Sequence, residues 1–362
     1  MTGAANSTGT GTGTGVGPTV VRWGMLSTSG IGRVLAAAAA GVPNAQIVAV
    51  GGRDAARARA YADELGIERS HGSYEQLLAD PDVDAVYVPV PISLHTEWTI
   101  RALRAGKHVL CEKPFATSAA DAAACFEAAQ QADRVVLEGL MGRRHPQTAL
   151  ARRLLADGAI GRLAFIRAAL TVDVPPGDIR RTGALGGGAL LDLGCYCVSA
   201  IRLFGGRPVR VAAARVLDEA PGADGGDLRL AATLQLPAGV LAQFDVALDY
   251  PRRDELELIG TAGTITLPDP WLCRAGVVRL ERDGVTQELP ADPDGRFGLS
   301  TDAENEDAYR LELQHACALI AGDADETDEF GAADAIEQAA TLEAVHAAAV
   351  SGAWVDLPTV RL

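Results

Sequence analysis

Lysine occurs only twice in this chain of 362 residues, at Lys107 and Lys113, although Lys and Arg together number 32. Lys113 stands in the run Val109-Leu110-Cys111-Glu112-Lys113-Pro114. Arg is planar and permanently charged, whereas the lysine ammonium is a compact donor whose pKa falls readily on burial. Proton-coupled chemistry can therefore use the one and not the other. Two lysines that merely escaped a bias toward Arg are the competing explanation, and the location of Lys113 relative to a binding cleft decides between them.

The elements that must position Lys113 alternate. Thr19–Leu26 reads as a buried strand, followed by the turn Ser27-Thr28-Ser29-Gly30-Ile31-Gly32 and a helix over 33–40. Strands are predicted at 46–50, 85–89, 108–111 and 135–138, and helices at 54–65, 74–79, 95–105 and 119–132. Strands alternating with helices at this spacing imply βαβ units, hence an α/β fold with a doubly wound parallel sheet over residues 20–142. Beyond about residue 145 the pattern changes. A helix near 148–155, a strand near 163–172 and a Gly-rich turn into a helix at 186–204 precede strand-like runs at 209–216, 228–236, 240–248, 255–259 and 277–281. These imply a second, α+β domain (143–362) with a mostly antiparallel sheet. Helices near 303–321 and 332–350 finish the chain, and the small-residue tract 1–19 is expected to be disordered.

The turn after the first strand is the place where a GxGxxG loop lets backbone approach a pyrophosphate at a helix N-terminus, the signature of a Rossmann-type dinucleotide fold. Here it reads Ser27-x-Ser29-x-x-Gly32 with an extra Gly30, so Ser27, Thr28, Ser29, Gly30 and Ile31 are candidate cofactor contacts. A plain strand-to-helix turn is the alternative. At the end of the second strand an acid usually takes the ribose 2′-hydroxyl of NAD, whereas Arg accommodates a 2′-phosphate. Gly52-Arg53 stands there, with Arg57 and Arg59 a turn further on and no acid before Asp54. NADP(H) is expected over NAD(H), against the alternative that Arg53 is simply solvated.

A formal net charge of −15 argues against nucleic acid or an anionic membrane as partner. No uninterrupted apolar stretch reaches the roughly 20 residues of a membrane span. Cysteines 111, 125, 195, 197, 273 and 317 lack zinc-ligand spacing and the density of a disulfide framework, so free thiols in a reducing cytoplasm are expected. His145 has no metal-type partners at useful spacing, and no metal is assigned. Asp302, Glu304, Glu306 and Asp307 are read as charges at the start of a helix, where they complement its dipole.

Four runs together resemble the Gfo/Idh/MocA oxidoreductases over nearly the whole chain. They are the first strand and turn, Pro91-Ile92-Ser93-Leu94-His95, Gly106-Lys107-His108-Val109-Leu110-Cys111-Glu112-Lys113-Pro114, and Gly186-Gly187-Gly188-Ala189-Leu190-Leu191-Asp192-Leu193-Gly194-Cys195-Tyr196. Met141–Gln147 and Asp178-Ile179-Arg180 look like the branch holding dihydrodiol dehydrogenase, NADP-dependent xylose dehydrogenase and nucleotide-sugar ketoreductases. The resemblance implies a lysine near the nicotinamide and Asp and Tyr beside the substrate hydroxyl, roles that fall on Lys113, Asp192 and Tyr196. It also implies cofactor contacts from Pro91, Ser93, His95 and Glu112, and a homodimer or homotetramer through the open second sheet. His95 could equally cap or pack. Glu112 could place the loop before Pro114, and a cis bond there is open. Ser27 and Ser93 depart from the Gly and Asn of many relatives.

Asp192 and Tyr196, spaced i and i+4, share one face of a helix. A phenol with an intrinsic pKa near 10 needs a nearby cation to serve as a base, and Lys113 is the candidate, while Asp192 could orient either the substrate hydroxyl or the lysine. The implied reaction is hydride exchange between the nicotinamide and a carbinol or carbonyl carbon of a sugar or cyclic diol. Tyr196 would move the hydroxyl proton and Lys113 would stabilise the oxyanion. Arg180 is a candidate substrate contact or a surface ion pair. Two alternatives stand beside this one: a ketoreductase of a nucleotide-linked keto-sugar, with Arg143, Arg144 and Arg181 available for a diphosphate, and a sensor that binds nucleotide without turnover.

Overall fold

The computed structural model describes residues 19–220, 224–300, 302, 305–324 and 329–357. The tail read at 1–19 lies, apart from Thr19, outside the described residues, as does Glu304. The first half of the chain runs β1 (Val21–Leu26), α1 (Gly30–Ala39), β2 (Ala45–Gly51), α2 (Ala55–Leu65), β3 (Arg69–His71), α3 (Tyr74–Leu78), β4 (Ala85–Val88), α4 (His95–Arg104), β5 (His108–Glu112), α5 (Ala119–Ala132) and β6 (Val136–Gly139). All pair in parallel in the order β3-β2-β1-β4-β5-β6. The order reverses between β2-β1 and β4, and the crevice at the carboxyl ends of such strands is where an α/β sheet binds ligands. Continuous burial along β4 and β5, for instance Val86, Tyr87, Leu110 and Cys111, follows from helices covering both faces.

The second half contains α6 (Pro146–Ala156), β7 (Leu163–Asp173), α7 (Cys195–Gly205), β8 (Arg210–Leu217), β9 (Asp227–Gln235), β10 (Leu241–Ala247), β11 (Asp249–Gly260), β12 (Thr264–Thr266), β13 (Val277–Arg282), β14 (Val285–Pro290), α8 (Asp307–Ala321), α9 (Ala332–Ser351) and β15 (Val355–Asp356). Its nine strands form one open sheet, β14-β13-β12-β11-β7-β10-β9-β8-β15, in which only β7 and β10 pair in parallel. Alternation sets its two faces: Ala242, Phe244 and Val246 of β10 turn inward onto α7, while Leu241 and Gln243 face out. The fold is therefore the Rossmann-type parallel sheet followed by an α+β domain with an open, mostly antiparallel sheet.

Several boundaries move for physical reasons. Helix α1 starts at Gly30 rather than 33, because Ser29 caps it by accepting a hydrogen bond from Gly32 N–H at 3.2 Å. The helix expected at 186–204 cannot begin at its glycines, since Gly186 (φ 78°) and Gly188 (φ 130°) lie in left-handed territory. Regular turns begin at Leu190, as a π-helical segment Leu190–Gly194 that leads into α7. The helix expected at 303 begins at Asp307, which pairs with Arg310 at 2.9 Å, so Asp302 and Glu306 precede the first turn. One segment, Gly183–Gly205, is long and apolar enough on average to span a membrane although Asp192 and Arg202 interrupt it, and 72% of its apolar window is buried as the core of the second domain. All six cysteines are free and buried. His145 caps α6, its Nδ1 accepting from Gln147 N–H at 3.1 Å.

Candidate active site

The turn after β1 keeps a glycine-like backbone without the glycine. Ser27 has φ 145°, and its hydroxyl donates to Pro89 O at 3.2 Å, tying the turn to the end of β4. Nothing lies within 4 Å of where a Cβ of Gly30 would stand, whereas one on Gly32 would be 2.6 Å from the Tyr61 hydroxyl, which donates to Ser29 O at 2.9 Å. With no acid in its first turn, α1 presents free N–H groups and a positive dipole end to the crevice. The site fits a dinucleotide pyrophosphate. Gly52 abuts the turn, with its absent Cβ 3.5 Å from Thr28 Cγ2. Arg53 and Arg57 beyond it are exposed and form no ion pair among the described residues, while Arg59 pairs with Asp63 at 2.6 Å.

At the end of β5 the Glu112 carboxylate accepts from the Tyr87 hydroxyl and, at 3.2 Å, from Lys113 N–H; the Lys113–Pro114 peptide is cis. Lys113 Nζ donates to both Oδ1 and the backbone O of Asp192, each at 2.8 Å, and sits 5.0 Å from the centroid of the Tyr196 ring. Asp192 reaches that point because the Leu190 N–H, at the start of the π turn, donates to Asp227 of β9 at 2.7 Å. The turn is π-helical, so Asp192 and Tyr196 do not show plain α-helical spacing, yet each meets Lys113, one with its carboxylate and the other with its ring face.

Electrostatics bear on two expectations and correct the one for Tyr196. Burial alone would lower the Lys113 pKa, but the charge of Asp192, helped by its acidic neighbours, outweighs it and leaves the ammonium above its ordinary value. Lys113 therefore stays cationic instead of easing toward neutrality. Tyr196 is not lowered: burial first, then the charges of Glu112 and its other acidic neighbours, drive its phenol well above 10. Lys113 faces the ring and already has Asp192 as counter-ion. Among the described residues the Tyr196 hydroxyl has only Met141 Sδ as partner, at 4.0 Å.

A cavity of about 640 Å³ between the two sheets collects Ser29, Gly30, Ile31, Pro91, His95, Glu112, Lys113, Arg180, Asp192 and Tyr196. Ser27, Thr28, Gly52, Arg53, Arg57 and Ser93 stand outside its wall, the first five along the turn and the end of β2. The backbone of Ser93 packs on Gly186 instead. His95 is 1% exposed, with its ring nitrogens 2.8 Å from Pro114 O and 2.9 Å from Val90 O, and burial pushes its pKa down to about 4. A neutral ring has a single N–H and donates to one of those carbonyls, so His95 anchors one loop of the cleft while also lining it. Arg180 lines the cavity and is also bidentate to Asp178 at 2.9 and 3.0 Å.

Arg143, Arg144 and Arg181, the residues considered for a diphosphate, do not line the cavity. Arg143 is buried between Glu138 and Asp334, Arg144 lies over the Phe330 ring, and Arg181 pairs with Asp218. Trp271, Arg252, Leu170 and Tyr309 do line it and carry no sequence signal, since they come from β7, β11, an irregular loop and α8.

Comparison with known proteins agrees with this architecture. Residues 21–140 match the family described as "Oxidoreductase family, NAD-binding Rossmann fold" and residues 148–266 match the "GFO/IDH/MocA C-terminal domain". The chain is 34% identical to D-xylose 1-dehydrogenase (NADP(+)) 2 of Haloferax volcanii over 92% of this chain and 99% of that protein. It is 35% identical to dTDP-3,4-didehydro-2,6-dideoxy-alpha-D-glucose 3-reductase of Saccharopolyspora spinosa over 84% and 90%. The crystal structure of KijD10, a 3-ketoreductase from Actinomadura kijaniata in complex with NADP and TDP-benzene, superposes with a TM-score of 0.80 at 30% identity, covering 91% of this chain and 98% of that one. With both domains matched and the lysine-bearing loop at the carboxyl end of the parallel sheet, the chain belongs to the Gfo/Idh/MocA family of NAD(P)-dependent oxidoreductases, dehydrogenases and reductases of CH–OH groups.

Proposed function

We propose that the protein is an NADP-dependent dehydrogenase or reductase acting on a secondary or anomeric carbon of a sugar or cyclic diol. The observation that carries this reading is the convergence of Lys113, Asp192 and Tyr196 on one cavity wall beside the N-terminus of α1. NADP preference is supported by Arg53, just beyond β2, and Arg57, in the first turn of α2, both exposed and without an ion pair among the described residues. When bound, the nicotinamide cofactor supplies or accepts the hydride. Lys113, kept cationic by Asp192, offers positive charge where the substrate oxygen becomes negative. Tyr196, held protonated, donates its proton to that oxygen in reduction and is reprotonated from solvent; in oxidation the phenol first gives up its own proton to solvent and then takes the hydroxyl proton. Asp192 fixes the lysine rotamer with two hydrogen bonds. Retention of this trio in working contact speaks against a sensor that performs no turnover.

A second reading, reduction of a nucleotide-linked keto-sugar, is favoured by the likeness to KijD10 over 91% of the chain. Its weakness is the cavity's charge: Arg180 and Arg252 are its guanidinium groups, each held by a neighbouring carboxylate. We further propose a homo-oligomer joined through the open face of the nine-stranded sheet, where exposed Ala214 and Ala231 lie beside Gln243, and a cytoplasmic location consistent with six free thiols. The deciding experiment is nicotinamide turnover with NADP(H) and NAD(H) across aldoses, cyclic diols and keto-sugar nucleotides, with Lys113→Ala as control. Turnover of an aldose or diol that prefers NADP(H) and is lost in the variant is expected. Turnover of keto-sugar nucleotides alone selects the second reading, and cofactor binding without any turnover overturns both.

A further inference from the structure

Helix α8 carries the chain back from the second domain to the first. It packs on α1 and on the turn Met141–Arg144, and its first turn places Tyr309 in the cavity wall. The ring packs with Ala38 and Met141, in the same apolar cluster that Tyr196 and Leu272 border, so two phenols stand on neighbouring parts of one wall. Tyr309 is 7% exposed, yet its hydroxyl has no hydrogen-bond partner among the described residues. That hydroxyl is also absent from the sealed, unpaired polar atoms of the interior, and its residue lines the cavity. A buried hydroxyl without a partner is costly, and one that faces a ligand cavity is matched when the ligand supplies the acceptor. Burial first, then the neighbouring Tyr196, Glu112 and Glu312, hold its pKa well above 10, so it is a neutral donor in surroundings that disfavour an anionic group.

Lys113 touches Asp192 and the Tyr196 ring and so serves the oxygen at the reacting carbon; Tyr309 stands beside that group, close enough for Tyr196 and Lys113 to act on its phenol, but it comes from α8 and bonds to neither among the described residues. We infer that Tyr309 is a substrate-binding residue whose hydroxyl donates a hydrogen bond to a second, non-reacting hydroxyl oxygen of the substrate, selecting polyhydroxylated over singly hydroxylated ligands. This inference rests on the proposed dehydrogenase or reductase function.

The test crosses one hydroxyl on the protein with one on the ligand. NADP(+)-loaded wild type and Tyr309→Phe are titrated calorimetrically with trans-cyclohexane-1,2-diol and with cyclohexanol, and NADPH affinity is measured by fluorescence. We expect Tyr309→Phe to weaken diol binding about 10-fold while leaving cyclohexanol and NADPH within about 2-fold, the size of one neutral hydrogen bond. Where the diol is turned over, KM should rise by the same factor with kcat little changed. Equal weakening for both alcohols, a loss seen in NADPH affinity instead, or no change at all overturns the assignment while leaving the proposed function standing. A wild type that binds NADPH but neither the diol nor D-xylose overturns both. Should the Phe variant not fold, Tyr309→Leu carries the same comparison, since it also lacks the hydroxyl.

Discussion

Lys113 is a buried cation whose charge depends on one carboxylate. Asp192→Asn should leave burial opposed only by the charges of Cys195 and Glu112, and the lysine pKa should then fall from its raised value. The alkaline limb of the kcat/KM profile should move to lower pH by one unit or more, each unit being about 1.4 kcal/mol of lost charge stabilisation. A profile that coincides with wild type up to pH 10 would remove Asp192 from this role. Lys113→Ala should lower kcat by about 10²–10⁴-fold, while cofactor affinity changes far less, because the ammonium faces Asp192 and Tyr196 instead of the α1 N-terminus. Single-turnover rates beside equilibrium cofactor titration separate the two. The importance of Lys113 was legible from the rarity of lysine and from its motif. Its protonation state was not, because that depends on the carboxylate of a residue 79 positions away.

At the scale of elements, the cleft depends on backbone that side chains cannot enter. A Cβ on Gly187 would stand 2.7 Å from both Arg180 O and Thr182 O, folding the Arg180 loop against the start of the π turn. Gly187→Ala should therefore cost about 2 kcal/mol or more, the scale of overpacking, and raise substrate KM. Urea unfolding and steady-state kinetics would show whether the two losses appear together. Ser27 presents the opposite case, a side chain held at φ 145° where glycine is unstrained. Ser27→Gly should stabilise by about 1 kcal/mol once the flexibility of glycine is offset against the relieved strain, with cofactor affinity preserved. A lower Tm would mean that the hydrogen bond to Pro89 outweighs the strain. The order of strands and helices could be read from periodicity alone. The helix starts could not, because Ser29 captures a backbone N–H ahead of α1 and positive φ at Gly186 and Gly188 delays the other.

For the whole molecule, the two halves of the dinucleotide crevice should separate in binding experiments. Arg53→Ala should weaken NADPH about 10–100-fold, as the loss of a charge-assisted hydrogen bond implies, and leave NADH unchanged; equal affinity loss for both would place Arg53 elsewhere. Acid stability follows from histidines buried in neutral form. His95 and His145, each 1% exposed, have pKa values pushed down to about 4 by burial, against an ordinary 6.5. The unfolded chain binds protons first as pH falls, so stability is lost between about 6.5 and 4, with a slope of about 1.4 kcal/mol per pH unit for each ring. Urea midpoints over that window should show it, and His145→Asn, which can still cap α6, should flatten the slope.

The amino-acid sequence by itself determined the alternation that makes the first sheet parallel, the turn where a helix begins at a binding crevice, and the loop and helix that hold Lys113, Asp192 and Tyr196. These depend on local period and on turn chemistry, which neighbouring residues set. Tertiary structure alone decided that Asp192 is the partner of Lys113, that the Tyr196 phenol is raised instead of lowered, that Arg143 and Arg181 are held in internal ion pairs, and that Trp271 and Tyr309 reach the cavity. The physical reason is that charge and burial act through space. They depend on how a sheet edge, a π turn and the helix Asp307–Ala321 pack together, and no spacing within any one of those elements encodes that distance.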